Sequence, residues 1–304
     1  MLRSLLLIAF LLSVASMASA KAEKNIPVLD EALFNVSFDP TNPITFVGKK
    51  SLNGNGQGAG GMMYPADTAG VFLVSILAHA AVSGSVEKSR LNKEQEEANK
   101  VLEPFSQHIA VVNTDYLSNE LRLKISSSPL EKFTFLHGDN QSENSKWQIK
   151  VTPVFLMTQS KSSFLLYNKM TFLDRELLYS KKKKVQKKLK KGALNPYEKL
   201  VVIVSDPVLE EDATNYWLRD DAKLFRESAK SLYVESFQLG VGRQFGSLES
   251  AQTKQVTIKY LEDGVKKIER GYVISQTCKR TLFESLAGEI KSVPNLEFAT
   301  CTTG

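Results

Sequence analysis

The chain has 304 residues, with 39 Lys or Arg against 33 Asp or Glu, and its formal net charge is +6. This length allows one large domain or two smaller ones with an ample core. Eight lysines lie within residues 181–191; without these and Arg3, 39 basic residues become 30, fewer than the acidic ones. The basic character is therefore local, which excludes a uniformly basic surface.

The first twenty residues have the layout of a cleavable secretory signal peptide. Arg3 supplies a positive charge, residues 5–12 are apolar, and small residues precede a predicted cut after Ala20. The apolar core is far shorter than the roughly 20 residues that a membrane span needs. The sequence therefore predicts a periplasmic or secreted protein.

We expect residues 21–66 to form an extended segment that ends in a glycine-rich linker. Residues 32–38 and 44–47 have the pattern of short strands on either side of a proline-containing turn. Residues 48–61 contain too much glycine for a helix or strand interior. They include a Gly-x-Gly-x-x-Gly motif, but four residues separate it from the next helix start, so no dinucleotide site is predicted.

A helical region is predicted over residues 67–128. One helix, or two joined near Gly84, should cover residues 67–102, and Pro104 should end it. The first half is apolar but contains serines and His79. We therefore favour burial in the protein's own core or against a partner over a membrane span or surface insertion, although these alternatives stay open. We predict no transmembrane span after signal cleavage.

Residues 129–304 have the order strands, helix, strands, which predicts an α+β domain with a mostly antiparallel sheet. Alternating apolar residues predict a hairpin over residues 147–172, and residues 200–204 read as a central strand that is apolar on both faces. Two further hairpins are predicted, with turns at residues 262–264 and 287–288.

A long helix in the C-terminal half is predicted to pack on this sheet. It should run over residues 210–239, with acidic residues near its start and Gly240 at its end. Five apolar residues recur at helical spacing and share one face: Leu218, Ala222, Phe225, Ala229 and Leu232. The helical region at residues 67–128 is predicted to contribute a separate, N-terminal helix that is apolar or amphipathic.

Cys278 and Cys301 are the only cysteines, and exported compartments preserve disulfides. Two thiols alone make a poor metal site, and their spacing differs from that of a Cys-x-x-Cys motif. We expect a disulfide between them near the C-terminus.

Motifs that would indicate a reaction are sparse. The chain has no Gly-x-Ser-x-Gly turn, no His-Glu-x-x-His pair and no phosphate-binding loop with its lysine. The three histidines lie in different local contexts, and His79 is predicted to be a core residue. No catalytic residue, cofactor or metal ligand is therefore predicted.

Two alternatives of other functional classes stay open. One is a hydrolase-type enzyme that uses the carboxylates of residues 206–212, or His137 with Asp139, although we favour helix capping and solvated charge as the explanation of the former. The other is a small-ligand-binding module whose pocket is lined by aromatic residues: Trp147, Phe155 or Trp217.

The lysine run is the most distinctive feature of the sequence: Lys181, Lys182, Lys183, Lys184, Lys187, Lys188, Lys190 and Lys191. It lacks aromatic residues for stacking on bases, which argues against a nucleic-acid partner. A plain solvated loop, a contact for an anionic envelope surface and a contact for a protein partner all stay open. The sequence favours a non-enzymatic exported protein that associates with the cell envelope or a protein partner.

Thiol labelling tests the predicted disulfide. The protein isolated from an oxidising compartment should have no free thiol before reduction and two afterwards. The bond would close a loop of about 23 residues, so reduction should lower the free energy of unfolding by about 3 kcal/mol. A Cys278→Ala control should expose one thiol without reduction, and two free thiols in the untreated protein would contradict the pairing.

Overall fold

A computed structural model describes these residues: 34–40, 44–49, 86–125, 135–137, 146–175, 180–184, 187, 197–245, 248 and 254–296. The predicted signal peptide, the glycine-rich linker beyond residue 49 and the apolar stretch up to residue 85 lie outside them. No helix in the described part of the chain has both the length and the apolar character needed to cross a membrane.

The strands in these ranges are β1 (Phe34–Phe38), β2 (Thr45–Gly48), β3 (Phe135–His137), β4 (Trp147–Met157), β5 (Phe164–Asp174), β6 (Tyr197–Val204), β7 (Val256–Glu262), β8 (Val265–Gln276), β9 (Arg280–Ser285) and β10 (Ile290–Pro294). The helices are α1 (Val86–Asn99), α2 (Ser106–Ile109), α3 (Thr114–Ile125) and α4 (Ala213–Gln244), with a 3₁₀ helix (Lys100–Phe105) between α1 and α2.

The ten strands form one sheet in the order β3-β1-β4-β5-β6-β10-β9-β8-β7, and β2 pairs with β4 beside this path. Five of its nine pairings are antiparallel, and the other four are β1 with β3, β1 with β4, β2 with β4 and β6 with β10. The α+β class is confirmed, and the mostly antiparallel sheet holds by a narrow margin. Three of the four parallel pairings involve β1 or β2, which run in the same direction as their neighbours β3 and β4. The division into domains stays a prediction.

The predicted hairpins form as expected. Strands β4 and β5 pair antiparallel from Trp147 opposite Asp174 to Met157 opposite Phe164. The β7–β8 turn places Asp263 and Gly264 at φ 58° and 69°, the left-handed pair that a two-residue hairpin loop requires. Strand β6 lies between β5 and β10, which confirms its central position.

The central strands bury both of their faces. Alternate residues of β4, β5 and β6 belong to two different hydrophobic clusters. On one face α4 packs on the sheet, and the rings of Phe164 and Phe225 lie 5.0 Å apart. On the other face Val154 and Leu165 share a cluster with Ile258 of β7 and Phe283 of β9. The sheet therefore curls back so that its last strands cover the face that α4 does not.

The apolar face predicted for the long helix is confirmed, because Ala222, Phe225, Ala229 and Leu232 are buried and Leu218 packs against the same cluster. The helix end differs from the prediction. Helix α4 continues past Gly240 to Gln244. A Cβ at Gly240 would overlap the sulfur of Met170, so this glycine allows the helix to approach the sheet rather than ending it.

Helix α4 also has a break that the sequence pattern does not indicate. Asp220, Asp221 and Ala222 have φ values of 50°, 57° and 54°, in the left-handed region that L-residues disfavour by roughly 1–2 kcal/mol each. Arg226 donates to the backbone carbonyl of Asp221, and its Nη1 lies 3.1 Å from the Asp221 carboxylate. The predicted single helix is therefore two helical segments joined by a tight turn.

Helix α1 ends against strand β2. The Gly48 amide donates to Asn99 Oδ1 at 2.8 Å, and Gln95 Nε2 donates to the Gly48 carbonyl at 2.9 Å. Gln159, in the β4–β5 turn, donates to the Ala98 carbonyl at 3.1 Å. The α-helix thus ends before Pro104, which lies in the 3₁₀ helix, and this part of the predicted separate N-terminal helix is tied to the sheet.

Replacing Gly48 with Ala should destabilise the protein. An added Cβ would overlap the backbone carbonyl of Ala98, which cannot rotate away, and such overpacking costs about 1–3 kcal/mol. Gly264→Ala is a useful control for backbone strain without a close contact, since its φ of 69° is unfavourable for alanine while the space around it is open, and it should cost about 1 kcal/mol. Urea unfolding measures both; a loss for Gly48→Ala no larger than the control would contradict the close contact.

Candidate functional site

Five lysines of the predicted contact surface lie in the described residues, and all five are exposed: Lys181, Lys182, Lys183, Lys184 and Lys187. None of these five forms an ion pair with another described residue, whereas Lys169 pairs with Glu198 at 3.0 Å and Lys150 pairs with Asp39 at 3.3 Å. The other three, Lys188, Lys190 and Lys191, lie outside the described residues. In the sequence the segment lies between β5 and β6, and the charges of its five described lysines are exposed.

The carboxylates before α4 have structural partners. Asp206 Oδ1 lies 2.8 Å from Arg280 Nη1, and Glu210 pairs with an arginine of α4. Asp212 caps the helix by accepting a backbone amide at 3.0 Å, while Glu211 is exposed. Each partnered carboxylate thus serves an ion pair or a helix cap, and these contacts do not bring two of them together as a catalytic pair.

The three aromatic residues proposed to line a pocket are all buried in the core. Trp147 packs edge-on against Phe245 with ring centroids 5.5 Å apart. Phe155 is fully buried between the sheet and α4, and Trp217 Nε1 donates to the Lys161 carbonyl at 2.7 Å. All three belong to the core on the α4 side of the sheet, where packing accounts for them.

The histidines and cysteines are only partly described. His108 Nδ1 lies 3.9 Å from a carboxylate oxygen of Asp221, and His137 is a residue of β3, while Asp139 and His79 lie outside the described residues. Within the described ranges, no group of three or more His, Cys, Asp or Glu side chains could hold a metal ion.

Cys278 lies in the turn that precedes β9. The side-chain amide of Asn295 donates to the carbonyls of Thr277 and Cys278 at 2.8 and 2.9 Å, which holds this turn beside the end of β10. Cys301 lies outside the described residues, so the disulfide stays a prediction. Pro294, the last residue of β10, pairs with Arg280, so β10 ends beside the turn that contains Cys278. Cys301 follows Pro294 by seven positions in the sequence.

A buried charged cluster lies where the curled sheet meets its own central strands. Lys291 Nζ is 2.9 Å from Glu269 Oε2 and 3.0 Å from Glu289 Oε2, and Tyr260 donates to Glu269 at 3.3 Å. Burial lowers the pKa of Lys291, but the two carboxylates outweigh this and raise its pKa above the ordinary value. Lysine therefore stays charged there and joins β10 to β8.

Two tyrosines border this cluster. Burial raises the pKa of Tyr167 and of Tyr260 far above the ordinary value, and the negative charge of Glu262 raises both further. Glu262 itself pairs with Lys49, which follows β2. Because its lysines and glutamates are paired internally, the cluster is suited to bracing the curled sheet.

Sequence reasoning missed this cluster, although a signal was present. Glu289 and Lys291 alternate with Val293, so all three side chains point to one face of β10, and Val293 belongs to the second hydrophobic cluster. Charged residues that share one strand face with a buried valine indicate a buried ion pair. Glu269, the other partner of Lys291, is 22 positions away in the sequence, so its identity depended on the fold.

Comparisons of the chain with protein-family models, curated proteins and solved structures give no significant match. Function is therefore inferred from the residues themselves.

Stability should fall as the pH rises above about 10, where tyrosine ionises in an unfolded chain. A buried tyrosine with a raised pKa keeps its proton while the unfolded state loses it, so each contributes a loss of up to about 1.4 kcal/mol per pH unit. The pKa of Lys291 is also raised, so this lysine keeps its proton at a pH at which the unfolded chain loses it, and stability falls in the same pH direction. Urea unfolding at a series of alkaline pH values measures this slope.

Two variants distinguish the contributions of Tyr233 and Tyr260 to this alkaline slope. Tyr233 is fully buried, and its hydroxyl has no hydrogen-bond partner among the described residues, so Tyr233→Phe should flatten the alkaline slope without lowering stability at neutral pH. Tyr260→Phe should flatten it as well but cost about 1 kcal/mol at neutral pH, because its bond to Glu269 is lost. An unchanged slope in both variants would contradict the assignment.

Proposed function

We propose that this chain is an exported, non-enzymatic protein that associates with the anionic surface of the cell envelope through residues 181–191. The observation that carries the proposal is the exposure of Lys181–Lys184 and Lys187 without an ion pair. A protein surface usually mixes both signs of charge, whereas here eight positive charges follow one another with no acidic residue between them.

The chemistry of such a segment fits an anionic lipid or polymer surface. A lysine close to an anionic membrane contributes roughly 1 kcal/mol of binding, and the effect decreases as salt screens the charges. Binding of this kind needs no pocket or fixed geometry, only a dense positive segment that other parts of the protein leave free. In the sequence this segment connects two core strands, β5 and β6.

The non-enzymatic part of the proposal is supported by the alternative sites. The carboxylates near α4 form the Asp206–Arg280 ion pair and the Asp212 cap, and Trp147, Phe155 and Trp217 pack in the core. Each of these residues has a structural explanation that does not need a substrate. Export rests on the predicted signal peptide, and fractionation of the native host tests it together with envelope association.

Changing Lys181, Lys182, Lys183 and Lys184 to Gln should weaken co-sedimentation with vesicles that contain phosphatidylglycerol by about tenfold or more at low salt. The melting temperature should change little, because exposed residues without partners contribute within about 0.5 kcal/mol of stability.

A matched control removes four positive charges elsewhere: Lys93, Lys146, Lys223 and Lys279, which are exposed and without an ion pair. Changing these to Gln should leave vesicle binding within about twofold of the unchanged protein. Equal binding by all three proteins would reject the proposed contact, and an equal loss in both variants would mean that net charge alone attracts the chain.

A further inference from the structure

The hairpin of β7 and β8 has an outer face that the other described residues leave exposed. Its register places Thr257 opposite Arg270, Lys259 opposite Ile268 and Leu261 opposite Lys266. Side chains alternate along a strand, so these six residues share one face, while Ile258, Tyr260 and Glu262 face the buried cluster. Both strands lie wholly within the described residues.

Three of the six residues are cations and none is acidic. Lys259, Lys266 and Arg270 are exposed and form no ion pair within the described part of the chain. The nearest carboxylate in sequence, Glu269, points to the opposite face and binds Lys291. The outer face is therefore a compact positive surface, with its charges fixed by the sheet register.

An exposed aliphatic residue lies at the centre of these cations. Ile268 is 63% exposed, Lys259 lies directly across from it, and Lys266 and Arg270 lie two positions away on either side. Leu261, beside Lys266 on this face, is half-buried. An apolar side chain surrounded by cations matches the boundary between anionic headgroups and acyl chains in a bilayer.

We infer that the outer face of the β7–β8 hairpin is a second docking surface, and that its occupant is an anionic phospholipid bilayer. The cations would contact headgroup phosphates while Ile268 enters the interfacial region. This inference deepens the proposed envelope association and rests on it for the presence of such a surface, but it concerns residues about 70 or more positions from the lysine segment.

Protection of a sheet edge is the other reason to place lysine on such a strand. It accounts for Lys259 on the edge strand β7, but Lys266 and Arg270 lie on β8, which already has neighbours on both sides. It also leaves Ile268 unexplained, because this exposed isoleucine lies on β8, which has no free edge to protect.

The test uses the full chain and two sets of vesicles, phosphatidylcholine alone and phosphatidylcholine mixed with phosphatidylglycerol. Changing Lys259, Lys266 and Arg270 to Gln should weaken partitioning onto the anionic vesicles by about tenfold or more. The matched control changes Lys93, Lys223 and Lys279 to Gln and should stay within about twofold of the unchanged protein.

Ile268→Ser separates insertion from charge attraction. It should weaken binding to the anionic vesicles by about threefold or more at both low and high salt, because the apolar contribution is not screened. Leu209, which is 70% exposed in the loop before α4, provides the control: Leu209→Ser should leave binding unchanged.

Several outcomes would overturn the inference. The first is equal binding by the hairpin triple variant and its control, and the second is an Ile268→Ser variant that binds as tightly as the unchanged protein. A third is unaltered vesicle binding with new self-association in sedimentation velocity, which would identify the cations as edge protection.

The same vesicle series separates this inference from the proposed function. Loss of binding only in the variant of Lys181–Lys184 would overturn the hairpin surface and leave the lysine segment as the contact. Loss only in the hairpin variant would overturn the role of the lysine segment and support the hairpin face.

Discussion

Burial of both faces of β4, β5 and β6 is the constraint on which the rest of this structure depends. Each of these strands carries apolar residues at successive positions, so one covering layer is not enough. Helix α4 covers one face, with Phe225 and Tyr233 fully buried against the sheet. The other face is covered by the curled end of the same sheet, because no described helix belongs to that cluster.

The curled sheet explains both the buried and the exposed charges. Where β8 and β10 close over the central strands, Lys291 lies between Glu269 and Glu289, and removal of one member would leave a buried charge without its partner. The inner face of the β7–β8 hairpin is used for packing, so its outer face remains in solvent. The positive surface around Ile268 is therefore a consequence of how the core is covered.

Local patterns in the sequence predicted most of the secondary structure. The β4–β5 hairpin, the central strand β6 and the turn at Asp263–Gly264 follow from alternation and from residues that tolerate positive φ. The pattern failed where tertiary contacts override local preference. Glycine is common at helix ends, but Gly240 lies inside α4, where the helix closely approaches Met170. The left-handed turn at Asp220–Ala222 contains no glycine that would indicate it in the sequence.

The sequence by itself determined the lysine segment, the apolar face of α4 and the positions of the hairpins, because each depends on residues close together in the chain. Only the tertiary structure decided that β1 and β2 run parallel to β4 and that Lys291 meets Glu269. It also decided which face of β7 and β8 is exposed. These features depend on contacts between distant residues, and a one-residue change of register would exchange the buried and exposed faces of a strand.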